Sequence, residues 1–277
     1  MEKSRHPEAS LGRGRRGLLA SGSDKAPELG FVLVTGASRG IGQALSLKLL
    51  DAGSWVVGIG RDFSHWSLPR TGFEAITADL ADLDRLPDLL SEIAGSHREL
   101  DAVVSNAGAG RFGHLEQLSP HRIRASVDLN LTQHILVARA FLPLLKRRGR
   151  GDLIFMGSET ALTGGIRSAV YSACKSALRG LARSLRQECA ASGVRIGIVN
   201  PGLVRTGFFD ALDFRPGAAP ENAITPDAVA DIIMTMLRAA PETVVDEVNL
   251  SPLKKVISFG SAGKPEGRRG LARASSA

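Results

Sequence analysis

The chain has 277 residues, 43% of them hydrophobic and 23% charged, which is the make-up of a globular protein. No run of about 18 apolar residues occurs, so a membrane span is not expected. The net charge of +7 suggests a nucleic-acid partner until it is placed: residues 1–28 hold six Lys/Arg against four Asp/Glu, residues 252–277 hold six against one, and residues 29–251 balance.

The basic character therefore belongs to the ends. These are rich in Gly, Ser, Arg and Pro and read as a flexible leader (1–28) and a flexible basic tail (252–277). A balanced centre argues against nucleic-acid binding. The N-terminal stretch lacks the apolar segment of a secretory signal. Cys174 and Cys189 fall fifteen residues apart in one predicted helix, too far along its axis to bridge. No Cys/His cluster has metal spacing, so no metal is expected, and a reducing, cytoplasmic setting fits best.

In chain order, Phe31–Thr35 is a short β-branched apolar run that reads as a buried strand. It meets Gly36-Ala37-Ser38-Arg39-Gly40-Ile41-Gly42 and then an amphipathic helix to about Ala52. Further strands are expected at Trp55–Gly60, Phe73–Thr77, Asp101–Val104, Gly151–Gly157, Val194–Asn200 and Thr243–Leu250. Arg61 to Gly72 reads as polar and irregular. Helices are expected at 82–95, at 119–148 with Ser119 as cap and Pro143 bending or ending the last part, at 168–192, and at 226–239 with Thr225 as cap. The stretch 201–225 reads as a loop with short helical pieces.

Strands alternating with helices, the strands as continuous apolar runs, predict an α/β fold over 29–251. It is one doubly wound parallel sheet of about seven strands with helices on both faces. Ligands of such sheets bind beyond the carboxyl ends of the strands. The glycines at 36, 40 and 42 lie between the first strand and first helix, where a tight turn and a helix N-terminus suit a dinucleotide pyrophosphate. At the end of the second strand, an acid would bind a ribose 2′-hydroxyl and a base a 2′-phosphate. Here Gly60 is followed by Arg61, and Arg39 lies in the glycine turn, which favours NADP(H) over NAD(H), although Asp62 adjoins Arg61.

Tyr171 is the only tyrosine of the chain, and Lys175 follows it by four residues. On a helix that spacing places both on one face, about 40° apart. An ammonium beside a phenol is expected to lower its pKa from about 10 towards a useful acid/base range.

The order Thr35-Gly-x-x-x-Gly40-x-Gly42, Asn106-Ala107-Gly108, Ser158, Tyr171-x-x-x-Lys175 and Pro201-Gly202 resembles the short-chain dehydrogenase/reductase family over about residues 30–250. The resemblance implies a single Rossmann-type domain and an NADP-dependent oxidoreductase acting on CH–OH or C=O groups, in which Tyr171 is the acid/base, Lys175 also binds the nicotinamide ribose, and Ser158 holds the substrate oxygen. It further implies that Asn130 holds a water in a proton relay. Gly36, Ser38, Arg39, Gly40, Ile41 and Gly42 with Arg61 would bind the dinucleotide phosphates, and Asp79 and Leu80 the adenine. Asn106, Ala107 and Gly108 would back the cofactor, and Pro201, Gly202, Val204 and Thr206 would cover its nicotinamide end. Ser105 departs from the family, which usually has Asn there, and the C-terminal segment lacks the Asp-Gly-Gly ending of one branch. The family commonly forms homodimers or homotetramers through the two long helices. A catalytically silent nucleotide-binding scaffold is the alternative function.

Substrate is expected to enter near residues 109–114, 159–167 and 203–225. Phe208, Phe209 and Phe214 read as walls of an apolar pocket; Arg111, Arg167 and Arg205 are candidates for a substrate carboxylate, and Glu159 for a substrate contact.

Overall fold

The computed structural model describes residues 29–68 and 70–260. The expected leader lies outside them, as does the expected tail from residue 261 on. Seven strands form one sheet: β1 (Phe31–Thr35), β2 (Trp55–Gly60), β3 (Phe73–Thr77), β4 (Leu100–Ser105), β5 (Gly151–Met156), β6 (Val194–Pro201) and β8 (Glu247–Leu250). Their order is β3-β2-β1-β4-β5-β6-β8, and every pairing is parallel. Parallel neighbours need crossovers, and these are supplied by helices α1 (Gly40–Asp51), α2 (Leu86–Ser96), α3 (Pro120–Val127), α4 (Gln133–Arg148), α6 (Ala169–Cys189) and α7 (Pro226–Leu237), except that β2 passes to β3 with no helix among the described residues. A single turn, α5 (Thr160–Thr163), precedes α6.

The continuous apolar strands are explained by burial on both faces. Leu33, Val103, Leu153 and Ile196 point into a core shared with Leu90, Phe141 and Leu178 of α2, α4 and α6. Val32, Val34, Val104 and Ile154 point the other way, against Leu45 and Leu49 of α1 and Ile233 of α7. The strand order reverses between β1 and β4, and at such a switch the two crossovers diverge and leave a crevice at the carboxyl ends.

Several expectations need correcting. The helix expected at 119–148 is three pieces. Ser119 caps α3 by accepting a hydrogen bond from the Arg122 N–H (3.3 Å), and a π-helical segment, Asp128–Thr132, separates α3 from α4. Pro143 does not end α4, which runs on to Arg148. Pro143 lies on the exposed side, while buried Phe141, Leu142, Leu144 and Leu145 hold the inner face. Helix α2 starts at Leu86, four residues later than expected. Strand β8 covers only Glu247–Leu250, the part that lies level with Ile198–Pro201 of β6. Two further strands arise where none was expected. β7 (Phe214–Pro216) in the long loop pairs antiparallel with β9 (Ile257–Phe259), which falls within the stretch read as tail.

One ion pair ties the far end of the sheet. Arg195 on β6 holds Asp152 on β5 with two bonds of 2.7 and 2.8 Å, and both side chains are about 15% exposed. The same guanidinium donates to the carbonyls of Leu237 and Ala239, satisfying the end of α7. Burial still pushes the Asp152 carboxyl up despite its partner. Arg195→Met should therefore leave an uncompensated buried carboxylate and lower the unfolding free energy by about 3 kcal/mol. Urea denaturation measures this, and an unchanged midpoint would count against the ion pair as a structural tie.

Candidate active site

The site is built on the carboxyl ends of β1 and β4. Thr35, the last residue of β1, is buried, and its Oγ1 accepts hydrogen bonds from the N–H groups of Asn106 (2.9 Å) and Ala107 (3.0 Å). The Asn106 side chain returns a bond to the Thr35 carbonyl (2.9 Å). Gly36 and Gly40 take left-handed φ values of 68° and 58°, which a side chain would strain. At Gly42 a Cβ would sit 2.1 Å from the Gly36 carbonyl oxygen, so glycine alone lets the turn fold onto its helix. Helix α1 then begins without a side-chain cap and without an acid in its first turn. Its free N–H groups at this cradle fit an anionic pyrophosphate.

The second strand end explains its own glycine. A Cβ on Gly60 would lie 2.9 Å from the Ser38 Cβ, so the position where an acid would bind ribose is closed to any side chain. Arg39 and Arg61 are exposed and line the same cavity. Asp62 is turned aside and accepts from the Ser64 N–H (2.8 Å), which holds its carboxyl below the usual range. The stretch 61–72, read as merely polar, contributes a structural clamp: the Trp66 indole and a His65 ring nitrogen both hydrogen-bond the Ser38 carbonyl (2.9 and 2.6 Å), and Trp66 stacks on Phe73 at 4.5 Å. Two aromatic side chains at 63 and 66 were the available signal.

Of the catalytic and cofactor-binding residues singled out in the sequence, all but Gly42 and Asn130 line one cavity of about 980 Å³. That is the top of the range for small-molecule sites and suits a dinucleotide with a second ligand. Asn130 lies behind the wall, in the π segment, and is fully buried. Its side chain exchanges bonds with Ala109, accepting from the N–H (3.2 Å) and donating to the carbonyl (3.0 Å), and also donates to the Ser126 carbonyl (3.0 Å). A Cβ on Gly108 would come within 3.1 Å of Asn130 Oδ1 and 3.6 Å of Lys175 Nζ, so Gly108 leaves open the space between them. Insertion of one residue in a helix commonly marks a functional position, and here it aims Asn130 at this loop.

Ser158 follows β5, and Tyr171 and Lys175 lie on the buried face of α6. Lys175, 2% exposed, donates to the Met156 carbonyl (2.8 Å) and lies 5.8 Å from the Tyr171 ring centre. The expected lowering of the Tyr171 pKa is corrected: burial pushes it up to about 12, opposed by a hydrogen bond with Ser158. Burial likewise brings Lys175 down to about 8. The Thr160 N–H and hydroxyl both donate to Ser158 Oγ (3.2 and 3.0 Å). With both lone pairs engaged, the Ser158 hydroxyl has only its proton to offer.

The substrate-side expectations divide. Phe208, Phe209 and Phe214 line the cavity, together with Phe112, which falls in the expected 109–114 stretch, and Phe259, which sequence reasoning missed. Arg205 donates to the Gly217 and Ala219 carbonyls, a structural role. Arg167 pairs with Asp213 (2.8 Å), while Arg111 stands exposed on the cavity wall. Glu159 pairs with Lys255. Gly202 donates its N–H to Leu250 (2.7 Å), and Thr206 caps a short turn by accepting from Phe208 N–H (3.2 Å). Cys174 and Cys189 are buried free thiols, pushed up in pKa by burial, as unreactive helix residues would be. Among the described residues no His/Cys/Asp/Glu group could hold a metal, and no helix is long and apolar enough to cross a membrane.

The short chain dehydrogenase family profile matches residues 30–214. A 1-deoxy-11-beta-hydroxypentalenate dehydrogenase of Streptomyces exfoliatus is 35% identical over 218 residues, covering 74% of this chain and 78% of its own. The sepiapterin reductase of Chlorobaculum tepidum is 28% identical over 80% of this chain and 96% of its own. Among solved structures, a metagenomic short-chain oxidoreductase in complex with NADP superposes with a TM-score of 0.69 at 29% identity, covering 82% of this chain and 99% of its own. A short-chain dehydrogenase from Streptomyces avermitilis gives 0.70 at 26% identity, covering 82% and 89%. With this match across most of its sheet and the cavity described above, the chain belongs to the short-chain dehydrogenase/reductase family and is an oxidoreductase of that family.

Proposed function

We propose that the protein transfers a hydride between NADP(H) and a carbonyl or secondary alcohol, with Tyr171 as acid and base. The observation that carries this reading is that Ser158, Tyr171 and Lys175 line the same cavity as the glycine cradle. Gly36, Gly40 and the α1 N-terminus would hold the pyrophosphate, Arg39 and Arg61 the 2′-phosphate, and Asp79 and Leu80 the adenine. Asn106, Ala107 and Gly108 would back the nicotinamide half, with Pro201, Gly202, Val204 and Thr206 over it. NADP bound in the metagenomic relative supports the choice of phosphate form. When bound, the nicotinamide supplies or accepts the hydride.

The chain's own residues manage the oxygen and its proton. Ser158, forced to donate by its two Thr160 bonds, steadies the substrate oxygen. Tyr171, held protonated by burial, gives its proton to that oxygen as negative charge develops. The Lys175 ammonium then stabilises the phenolate left behind. Asn130, anchored to Ala109, fixes the loop that bounds this proton route. A silent nucleotide-binding scaffold would have no use for a serine whose acceptors are filled beside a buried Tyr–Lys pair. The absence of nucleic-acid chemistry in the balanced core, a cytoplasmic location and a homodimer or homotetramer through α4 and α6 belong to the same reading.

Tyr171→Phe keeps the ring and removes the proton. Its kcat for ketone reduction should fall by about 10²- to 10⁴-fold while NADPH binding persists, and near-normal turnover would remove Tyr171 from its role. Replacing Arg61 with Ala should reduce the NADPH-to-NADH ratio of kcat/KM by about tenfold, through loss of a charge-assisted contact. An unchanged ratio would take Arg61 out of cofactor choice.

The Lys175 shift also predicts a pH dependence of stability that needs no turnover. Folded Lys175 loses its proton near pH 8, whereas the unfolded chain keeps it to its ordinary value of 10.5. Between those values the unfolded state binds more protons, so Lys175 makes stability rise with pH. Above pH 10 Tyr171 acts oppositely, because the folded state then holds the proton longer. Urea unfolding from pH 7.5 to 9.5 should show wild type gaining stability relative to Lys175→Met. Parallel curves would mean that Lys175 titrates normally.

A further inference from the structure

We propose that the substrate is a ketone or secondary alcohol carried on a bulky hydrocarbon body of at least two fused rings, received by a phenylalanine wall that β9 completes. The inference rests on the oxidoreductase reading above and adds the class of molecule that reaches Tyr171.

The wall starts at the reacting oxygen. The Phe112 ring centre lies 5.4 Å from that of Tyr171, and Phe208 lies 6.1 Å from Tyr171 on another side. From Phe112 the rings continue outward: Phe214 is 5.1 Å further on, and Phe259 is 6.4 Å from Phe214. All of these rings line the same cavity. A small carbonyl compound held at Tyr171 would touch only the first members of this series. A hydrocarbon body extending from the carbonyl would cover the rest.

The outer members come from a segment that the sheet does not require. Phe259 pairs directly with Phe214 across β7 and β9, so both rings stand on one face of the ribbon. Two residues on, Pro216 pairs with Ile257 and repeats that face. The base of β9 is tied beside the reacting oxygen, because Lys255 forms an ion pair with Glu159, the neighbour of Ser158. On the opposite rim Arg167, held at a φ of 62°, pairs with Asp213 just before β7, and its carbonyl accepts the Gly113 N–H (2.7 Å). These two ion pairs secure the ribbon on both rims.

The lip of the cavity is apolar and wet. Phe259 is 73% exposed, Ile166 is 90% exposed, and both line the cavity with Ile257. Large apolar side chains grouped at a cavity mouth mark a surface that a ligand covers. Their common position on the wall that leads to Tyr171 assigns that ligand as the substrate. Phe112, Phe208, Phe214, Ile257 and Phe259 carry no side-chain hydrogen-bonding group, so this wall meets a ligand by apolar area and shape, which suits a fused-ring body, while Arg111 and Asp210 line the same cavity.

The test compares cyclohexanone with 2-decalone, which share a six-ring carbonyl and differ by a second ring, in wild type and Phe259→Ala with NADPH. Wild type should show at least tenfold higher kcat/KM for 2-decalone. In Phe259→Ala the decalone-to-cyclohexanone ratio should fall about five- to tenfold, mainly through KM. The exposed position of Phe259 makes a folding defect an unsuitable explanation of such a change, and circular dichroism checks it. Equal kcat/KM for both ketones in wild type, or an unchanged ratio in the variant, overturns the proposal while leaving the hydride-transfer reading intact. If neither ketone is reduced, the hydride-transfer reading fails for ketones and calorimetric titration of 2-decalone into the NADPH-loaded protein decides. Binding that weakens in Phe259→Ala supports the apolar wall, and absence of binding, or equal binding by both proteins, overturns it.

Discussion

Two donors converging on one hydroxyl, Thr35 Oγ1, hold the ends of β1 and β4 side by side. The switch in strand order opens a crevice there, and a crevice lined by backbone must have its polar groups satisfied. Thr35 takes the N–H groups of Asn106 and Ala107, and Asn106 takes the Thr35 carbonyl. With those bonds made, the glycine turn and the Asn106–Gly108 loop become opposite walls of one cavity. Everything reactive is placed relative to that stitch, since Asn130 grips the same loop at Ala109, and Gln133 grips it at the Ala107 carbonyl (3.1 Å).

The second constraint is the cost of burying a phenol and an amine together. Burial alone disfavours both charged forms, which is why Tyr171 moves up and Lys175 moves down. At neutral pH this leaves a protonated phenol beside a cation that is near its own titration. Such a pair is primed to release a proton when a partner oxygen becomes basic, and Ser158, whose acceptor sites Thr160 has filled, is confined to favouring that oxygen. An isolated consideration of the ammonium's charge predicts a lowered phenol pKa. The desolvation of a side chain inside α6 outweighs it.

The strands β1 and β2 were legible to the residue, because each is a short apolar run bounded by glycine or polar residues and buried as its pattern requires, and β3 was placed to the residue although only its Ile76 is buried. The glycine turn, Asn106–Gly108 and the Tyr171–Lys175 spacing were legible for a related reason: local geometry demands those residue types. What stayed hidden depends on partners distant in the chain. β9 has only three residues, all exposed, and exists because β7 lies alongside it. The π segment at 128–132 changes no residue preference that a helical pattern would reveal. Trp66 was readable as an aromatic in a polar stretch, but its bond to Ser38 requires knowing that the loop folds back over the glycine turn.

Ser105 shows how a departure from the family pattern is absorbed. The side chain there faces the core rather than the cavity, and its hydroxyl shares a 2.7 Å hydrogen bond with Nδ1 of His134, one turn after Asn130. A charged imidazole in that place would stand in an apolar core close to the Lys175 ammonium. Burial and that ammonium together hold the His134 pKa well below its usual value, so the ring is neutral. The neutral ring shares one proton with Ser105, packs edge-on against Phe155 at 6.4 Å, and leaves its buried Nε2, which has no hydrogen-bond partner, without a charge to solvate. Position 105 and position 134 therefore act as one unit beneath the loop, joining β4 to α4. Lys175 remains the buried positive charge on this side of the site, where a phenolate at Tyr171 would need it.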